Sequence, residues 1–137
     1  MARILAIDFG KVRTGLAVTD PLGIIASPLE TVETKSLGEF LRNYFQKEEV
    51  SNVVVGMPKR LDNTDTDATP LVERFVAQFK EKFPEKPVTL IDERFTSKMA
   101  LSAMIEGGMS KKDRKVKGNI DKVSAAIILQ SYLAQHP

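Results

Sequence analysis

The sequence predicts a mixed α/β domain: a five-stranded sheet, in which a three-strand antiparallel meander is extended by two parallel strands, with helices on both faces. Three observations predict it. The first three β-favouring runs are joined by links of hairpin length. Each of the next two runs follows a segment of helical periodicity, as a parallel crossover requires. The first of these two, Val53-Val54-Val55-Gly56, is a continuous β-branched run of the kind found where both faces of a strand are covered.

The elements follow in order. Residues 3–9 are apolar and β-favouring, and Gly10 ends them. Residues 14–19 form the second run, closed by an Asp20-Pro21 turn. Residues 24–32 form the third; Pro28 interrupts it and predicts an edge position or a bulge. Leu37, Phe40, Leu41, Tyr44 and Phe45 fall at helical spacing, so residues 36–49 read as an amphipathic helix with Ser36 at its N-cap. Residues 59–69 are polar and turn-rich and read as a loop. Leu71, Val72, Phe75, Val76, Phe79 and Phe83 mark another helix, stopped by Pro84, and residues 88–91 give the fifth strand. Residues 96–105 have helical spacing and end at Gly107-Gly108. Asn119 is placed to cap a last helix running through Leu133. Phe40, Tyr44, Phe75 and Phe79 stand at core spacing, and Ala125 and Ala126 allow a close approach between the last helix and the sheet.

Size and composition set the bounds. The 137 residues suit one domain over 1–137, and 42% hydrophobic with 28% charged residues is a globular composition. No apolar run reaches the ~18 residues of a membrane span. The first residues meet Asp8 before any signal-like stretch develops, so the expected compartment is the cytoplasm. With no Cys there is no disulfide, thiolate–zinc site or thiol nucleophile; the one His is His136, at the chain end. Chemistry must therefore use carboxylates, hydroxyls, Lys, Arg or a bound metal.

Three acids stand where chemistry can be built. Asp8 closes the first strand, Glu93 follows the fifth, and Asp121 belongs to the first turn of the last helix. Strand ends in such a sheet share an edge, and a helix crossing that edge can add a third carboxylate. Three hard oxygen ligands suit Mg²⁺ or Mn²⁺, and two such ions can clamp a scissile phosphate, one preparing the attacking water and one stabilising the leaving oxygen. Structural roles compete: a Glu93–Arg94 ion pair, or Asp121 as an acid complementing the helix dipole. Arg13 either reaches a substrate phosphate or pairs with Asp20, and Lys59 and Arg60 have the same ambiguity. Net charge is only +2, but Lys111, Lys112, Arg114, Lys115, Lys117 and Lys122 crowd one segment against Asp113 and Asp121. Such a run is either a solvated loop or a phosphate-contacting one. Asp8-Phe9-Gly10-Lys11 also suggests the phosphate hairpin of two-domain ATPases, which a chain of this size does not accommodate, and it is not a Walker A loop.

Four motifs together are specific. Asp8-Phe9-Gly10-x-x-Arg13-x-Gly15-x-Ala17, Val54-Val55-Gly56-x-Pro58, Asp92-Glu93-Arg94-Phe95-Thr96-Ser97 and Lys117-x-x-Ile120-Asp121-x-x-Ser124-Ala125-Ala126 with Leu129-Gln130-x-Tyr132-Leu133 occur in the order of the YqgF family, also called RuvX. The resemblance spans essentially the whole chain. It implies a ribonuclease H-like fold, a cytoplasmic bacterial nuclease acting on the 5′ end of pre-16S ribosomal RNA, and an acidic triad of Asp8, Glu93 and Asp121. Similarity to the Holliday junction resolvase RuvC implies branched DNA instead. The chain departs from the family after Pro58, where Leu61-Asp62-Asn63-Thr64 lacks the customary glycine; Asn tolerates a left-handed turn.

The resulting expectation is a hydrolase: a metal-dependent phosphodiesterase on RNA with Asp8, Glu93 and Asp121 as ligands, and Arg13, Lys111, Lys112, Arg114, Lys115 and Lys117 on the nucleic acid. The alternatives are a junction resolvase with the same site and a non-catalytic nucleic-acid-binding factor of ribosome maturation. Junction resolution calls for a homodimer, whereas RNA trimming can be done by a monomer.

Overall fold

A computed structural model describes residues 2–58, 68–92 and 117–135, the last with side chains over 121–134. The described elements are β1 (Arg3–Asp8), β2 (Arg13–Thr19), β3 (Ala26–Glu33), a 3₁₀ turn (Thr34–Ser36), α1 (Leu37–Lys47), β4 (Val50–Met57), α2 (Thr69–Lys82), β5 (Val88–Asp92) and α3 (Lys117–Gln135). The sheet order is β3-β2-β1-β4-β5. β1 pairs antiparallel with β2, and β2 with β3. β1 and β4 are parallel, as are β4 and β5. This is the predicted meander with two parallel strands. Pro28 sits on the edge strand β3, opposite Ala17, where the β2–β3 register shifts. Pro has no N–H to give the ladder, so edge and bulge together accommodate it.

Side chains alternate across the strands and build two unlike cores. Leu5, Ile7, Leu16, Val18, Val53 and Val55 face α1 and α2, where Leu37, Leu41, Val72, Val76 and Phe79 close over them. Ala6, Ala17 and Val54 face α3, which answers with Ala125, Ala126, Ile128 and Leu129. Each large side chain taken fully out of water contributes about 1.5–3 kcal/mol. The first face therefore carries most of the hydrophobic stabilisation, while the small residues of the second let α3 lie close. Phe79 is buried, and Phe40, Tyr44 and Phe75 pack on the same core, as their spacing predicts.

Local differences from the sequence reading have local causes. Ser36 stands at the N-cap of α1 but makes no side-chain capping bond, because the 3₁₀ turn feeds directly into the helix. Helix α2 starts at Thr69, inside the expected loop; its buried hydroxyl donates to the Pro58 carbonyl at 2.8 Å and ties the helix start to the end of β4. Residues 24 and 25 belong to the β2–β3 turn instead of β3. The Asp20 carboxylate accepts the N–H groups of Leu22, Ile24 and Ile25 at 3.3, 2.9 and 2.8 Å, and Gly23 takes φ 71°. Helix α3 begins at Lys117, so Asn119 lies inside it. The expected helix over 96–105 and the loop after Lys59 lie outside the described residues.

Candidate functional site

Parallel strands end on a common edge, and β1, β4 and β5 bring Asp8, Met57-Pro58 and Asp92 to it. Ile7 belongs to the α1–α2 core and Ala6 to the α3 core, so alternation turns Asp8 toward α3. Ile91 belongs to the α3 core, so Asp92 takes the opposite side of the sheet from Asp8.

Gly15 is where the site is assembled. It is the cross-strand partner of Asp8. It also lies directly beneath α3: a Cβ at position 15 would fall on the Asp121 carbonyl group and come within 2.9 Å of the Lys122 nitrogen. Only a residue without a side chain lets the helix backbone approach this closely. Gly15 thus brings the backbones of Asp8 and Asp121 to its two sides, joining two acids 113 positions apart in the sequence. Buried Ser124, Ala125 and Ala126 continue the same close approach along α3. The sequence reading noted the alanines but gave Gly15 no part in the site; glycine inside a strand was the signal available.

Arg13 enters from the same side. Its Nε–H donates to Asp121 Oδ2 at 3.0 Å, with both side chains partly exposed. Of the two alternatives for Arg13, this replaces the pairing with Asp20, whose carboxylate is held by its own turn. The backbone N–H groups of Ile25 and then Ile24 keep the Asp20 pKa below the usual carboxylate value. A second correction concerns Asp121 itself: with α3 starting at Lys117, it lies in the second helical turn, away from the first-turn N–H groups that favour an acid. Its cationic neighbour is Arg13. The arginine is anchored in turn by the β1–β2 hairpin, where the Thr34 hydroxyl donates to the Gly10 carbonyl at 2.6 Å and meets Thr14 Oγ1 at 2.8 Å.

Of the other expected site residues, Glu93, Lys111, Lys112, Arg114 and Lys115 lie outside the described residues, as do Lys59 and Arg60. Lys117 is described as backbone only, the first residue of α3. Among the described residues no three acids or histidines group as a metal site. Asp8 and Asp121 nevertheless supply hard oxygen donors of the type that Mg²⁺ and Mn²⁺ prefer, and the Arg13–Asp121 contact shows a carboxylate here taking a cationic partner. Two carboxylates are of the right donor type, and the third expected donor, Glu93, lies outside the described residues.

A family model described as "RuvX: Holliday junction resolvase" matches residues 2–135. A protein of Christiangramia forsetii is 53% identical over 133 residues, covering 97% of this chain and 98% of its own length. One from Phocaeicola vulgatus is 51% identical, covering 97% and 96%. Both carry the name "Putative pre-16S rRNA nuclease". Among solved structures, T. thermophilus RuvC in complex with Holliday junction substrate is similar with a TM-score of 0.54 at 19% identity, covering 98% of this chain and 96% of that one. That likeness bears out the ribonuclease H-like fold.

Proposed function

This chain belongs to the RuvX family, and from that membership and its site we propose that it is a metal-dependent nuclease trimming the 5′ end of pre-16S ribosomal RNA in the cytoplasm. The observation that carries the reading is the meeting of Asp8 and Asp121 on either side of Gly15. A purely structural acid has no need of a bare strand position to bring a second acid to it.

Asp8, Asp121 and Glu93, the residue after Asp92, are the proposed ligands for one or two Mg²⁺ or Mn²⁺ ions. When bound, such ions supply Lewis-acid stabilisation of the charge that develops on the phosphate oxygens. The chain's own residues set the stage. Ionised Asp8 and Asp121 offer only acceptors, so they hold cations and repel an unneutralised phosphate. Arg13 uses its Nε–H on Asp121. The guanidinium's other N–H groups remain as donors suited to a phosphate oxygen. No residue here needs to form a covalent intermediate, in keeping with a chain that has no Cys and only a terminal His.

The relatives' names favour ribosomal RNA; the family description favours a second reading, resolution of a four-way DNA junction, which would call for a homodimer to cut two strands. Cleavage of matched single-stranded RNA, duplex and junction substrates in Mg²⁺ or Mn²⁺ separates the two. Asp8→Asn is the control. It should abolish cleavage, leave metal-free stability unchanged or slightly raised, and shrink the rise in Tm that Mg²⁺ produces by mass action. A destabilised Asp8→Asn protein with a wild-type Mg²⁺ response would remove Asp8 from the ligand set.

A further inference from the structure

The face of the sheet opposite α3 carries a feature that the proposed hydrolytic site does not use. Helices α1 and α2 leave between them a groove of about 460 Å³. Its floor includes Phe9 and Phe75, whose rings stack at 4.6 Å and 16°. Both are only half-buried: one side of the pair completes the core, and the other lines the groove. Lys35, Arg42 and Lys82 stand on its walls with one acid, Glu39, and Lys35 also pairs with Glu33 at 3.3 Å in an exposed contact that a phosphate can displace. Lys82 reaches across from α2 toward α1, its Nζ lying 3.4 Å from where a Cβ of Gly38 would stand. Neither Arg42 nor Lys82 forms an ion pair with a described residue.

The groove is linked to the site by sequence and by surface. Phe9 follows Asp8, so the strand end that turns its acid toward α3 turns its next ring into the groove. An open depression lined by Lys11, Val12, Arg13, Glu33 and Lys35 borders the same hairpin and shares Lys35 with the groove. A run of cations therefore leads from Arg13 beside Asp121, round the sheet edge through Lys11 and Lys35, to Arg42 and Lys82.

We propose that this groove is a binding subsite for the single-stranded RNA flanking the cleavage position, with the backbone tracked by Lys35, Arg42 and Lys82 and a base resting on the Phe9–Phe75 pair. A cationic channel with aromatic platforms is how single strands are held without sequence preference, over ~4–16 nucleotides. Excess positive charge selects a polyanion, and the groove-facing side of the part-buried Phe9–Phe75 pair selects unpaired bases; a duplex offers the charge without free base faces. The proposal rests on the nuclease reading for the choice of nucleic acid, but its test does not need catalysis.

The test is binding by fluorescence anisotropy in EDTA, where no cleavage occurs. Labelled single-stranded RNAs of increasing length are titrated against wild type and an Arg42→Ala/Lys82→Ala variant, both substitutions being at exposed helix positions. The wild type should gain affinity as the strand grows long enough to enter the groove. The variant should lose most of that gain, and its log–log salt slope on long RNA should fall by about 1.4, or ~0.7 per lost phosphate contact. RNA carrying 4-thiouridine should cross-link to Phe9 or Phe75. The proposal is overturned by an equal length-dependent gain in both proteins, by absence of any gain in the wild type, or by cross-links found only elsewhere. Equal gain with intact wild-type cleavage would leave the nuclease and remove the groove, and would turn attention to a protein partner there. Loss of the gain in a protein that cuts nothing would keep the groove and remove the nuclease.

Discussion

On the α3 side, Ala6, Ala17, Ala125, Ala126 and bare Gly15 stand among Val54, Ile91, Ile128 and Leu129; the α1–α2 side is built almost wholly from large residues such as Leu5, Ile7, Leu16, Leu41 and Phe79. Small residues contribute little burial each, but they let backbones touch, and at Gly15 that contact brings Asp121 to Asp8. Large residues contribute most of the burial but hold the helices farther off, and a groove remains between them. Stability and site geometry are thus concentrated on opposite faces, and substitutions should separate them.

The largest loss of stability belongs to the large-residue face. Leu5 is fully buried there, three positions before Asp8 and pointing away from it. Leu5→Ala should cost about 2–5 kcal/mol in denaturant unfolding, the usual range for a buried leucine. The protein that remains folded should still cut. Loss of cleavage in proportion greater than loss of folded protein would show that the two faces are not separable.

Gly15→Ala should invert that outcome. The added methyl meets the Asp121 carbonyl, a backbone group that cannot swing aside. Overpacking of this kind costs about 1–3 kcal/mol. Cleavage should be lost at temperatures where the protein is fully folded, because α3 must move and take Asp121 with it. Full activity in Gly15→Ala would refute the assembly of the site on this residue.

The contrast between faces also explains what the sequence disclosed. Helices α1 and α2 each bury one stripe, so a 3.6-residue period betrays them. Residues 124–129 of α3 are buried without a break, so no stripe marks its register, and the helix extends two residues past each predicted end. The strands were legible from β-branched runs, and the edge position of β3 from Pro28. For the candidate site, Asp8 is legible as the acid closing the first strand, and Asp121 only as an acid near the start of the last helix, one turn farther in than the sequence suggests. Their meeting was not, because it depends on the absence of a side chain at Gly15. Nor was Arg13's partner: a sequence offers Asp20 seven positions away, and only the fold offers Asp121.

A smaller effect is expected at Arg13. The ion pair with Asp121 is partly exposed, so Arg13→Gln should lower metal-free stability by only about 0.2–1 kcal/mol. Removing the arginine also removes the cation that competes for Asp121. Mg²⁺ should therefore raise the Tm of Arg13→Gln more than that of wild type in paired thermal melts. An equal or smaller shift would mean that Arg13 supports the acid's geometry instead of standing in for an ion.

The smallest effect should come from a region on neither face. Asp20 closes the β2–β3 turn, and the N–H groups of Ile25, Ile24 and Leu22 that it accepts lower its pKa from 3.8. A carboxylate with a depressed folded-state pKa stabilises the fold fully above its unfolded pKa and loses that contribution as pH falls through the folded value. Asp20→Ala should therefore be slightly less stable than wild type at neutral pH, and the two proteins should converge as pH falls below about 4, since the unfolded pKa lies near 3.9. The turn is solvent-exposed, so the gap should be small throughout, and cleavage should be unchanged because the turn follows the Thr19 end of β2, the end away from Arg13 and Gly15. Thermal melts across this acid range decide it. A gap that widens on acidification would mean that the turn is held by something other than the ionised carboxylate.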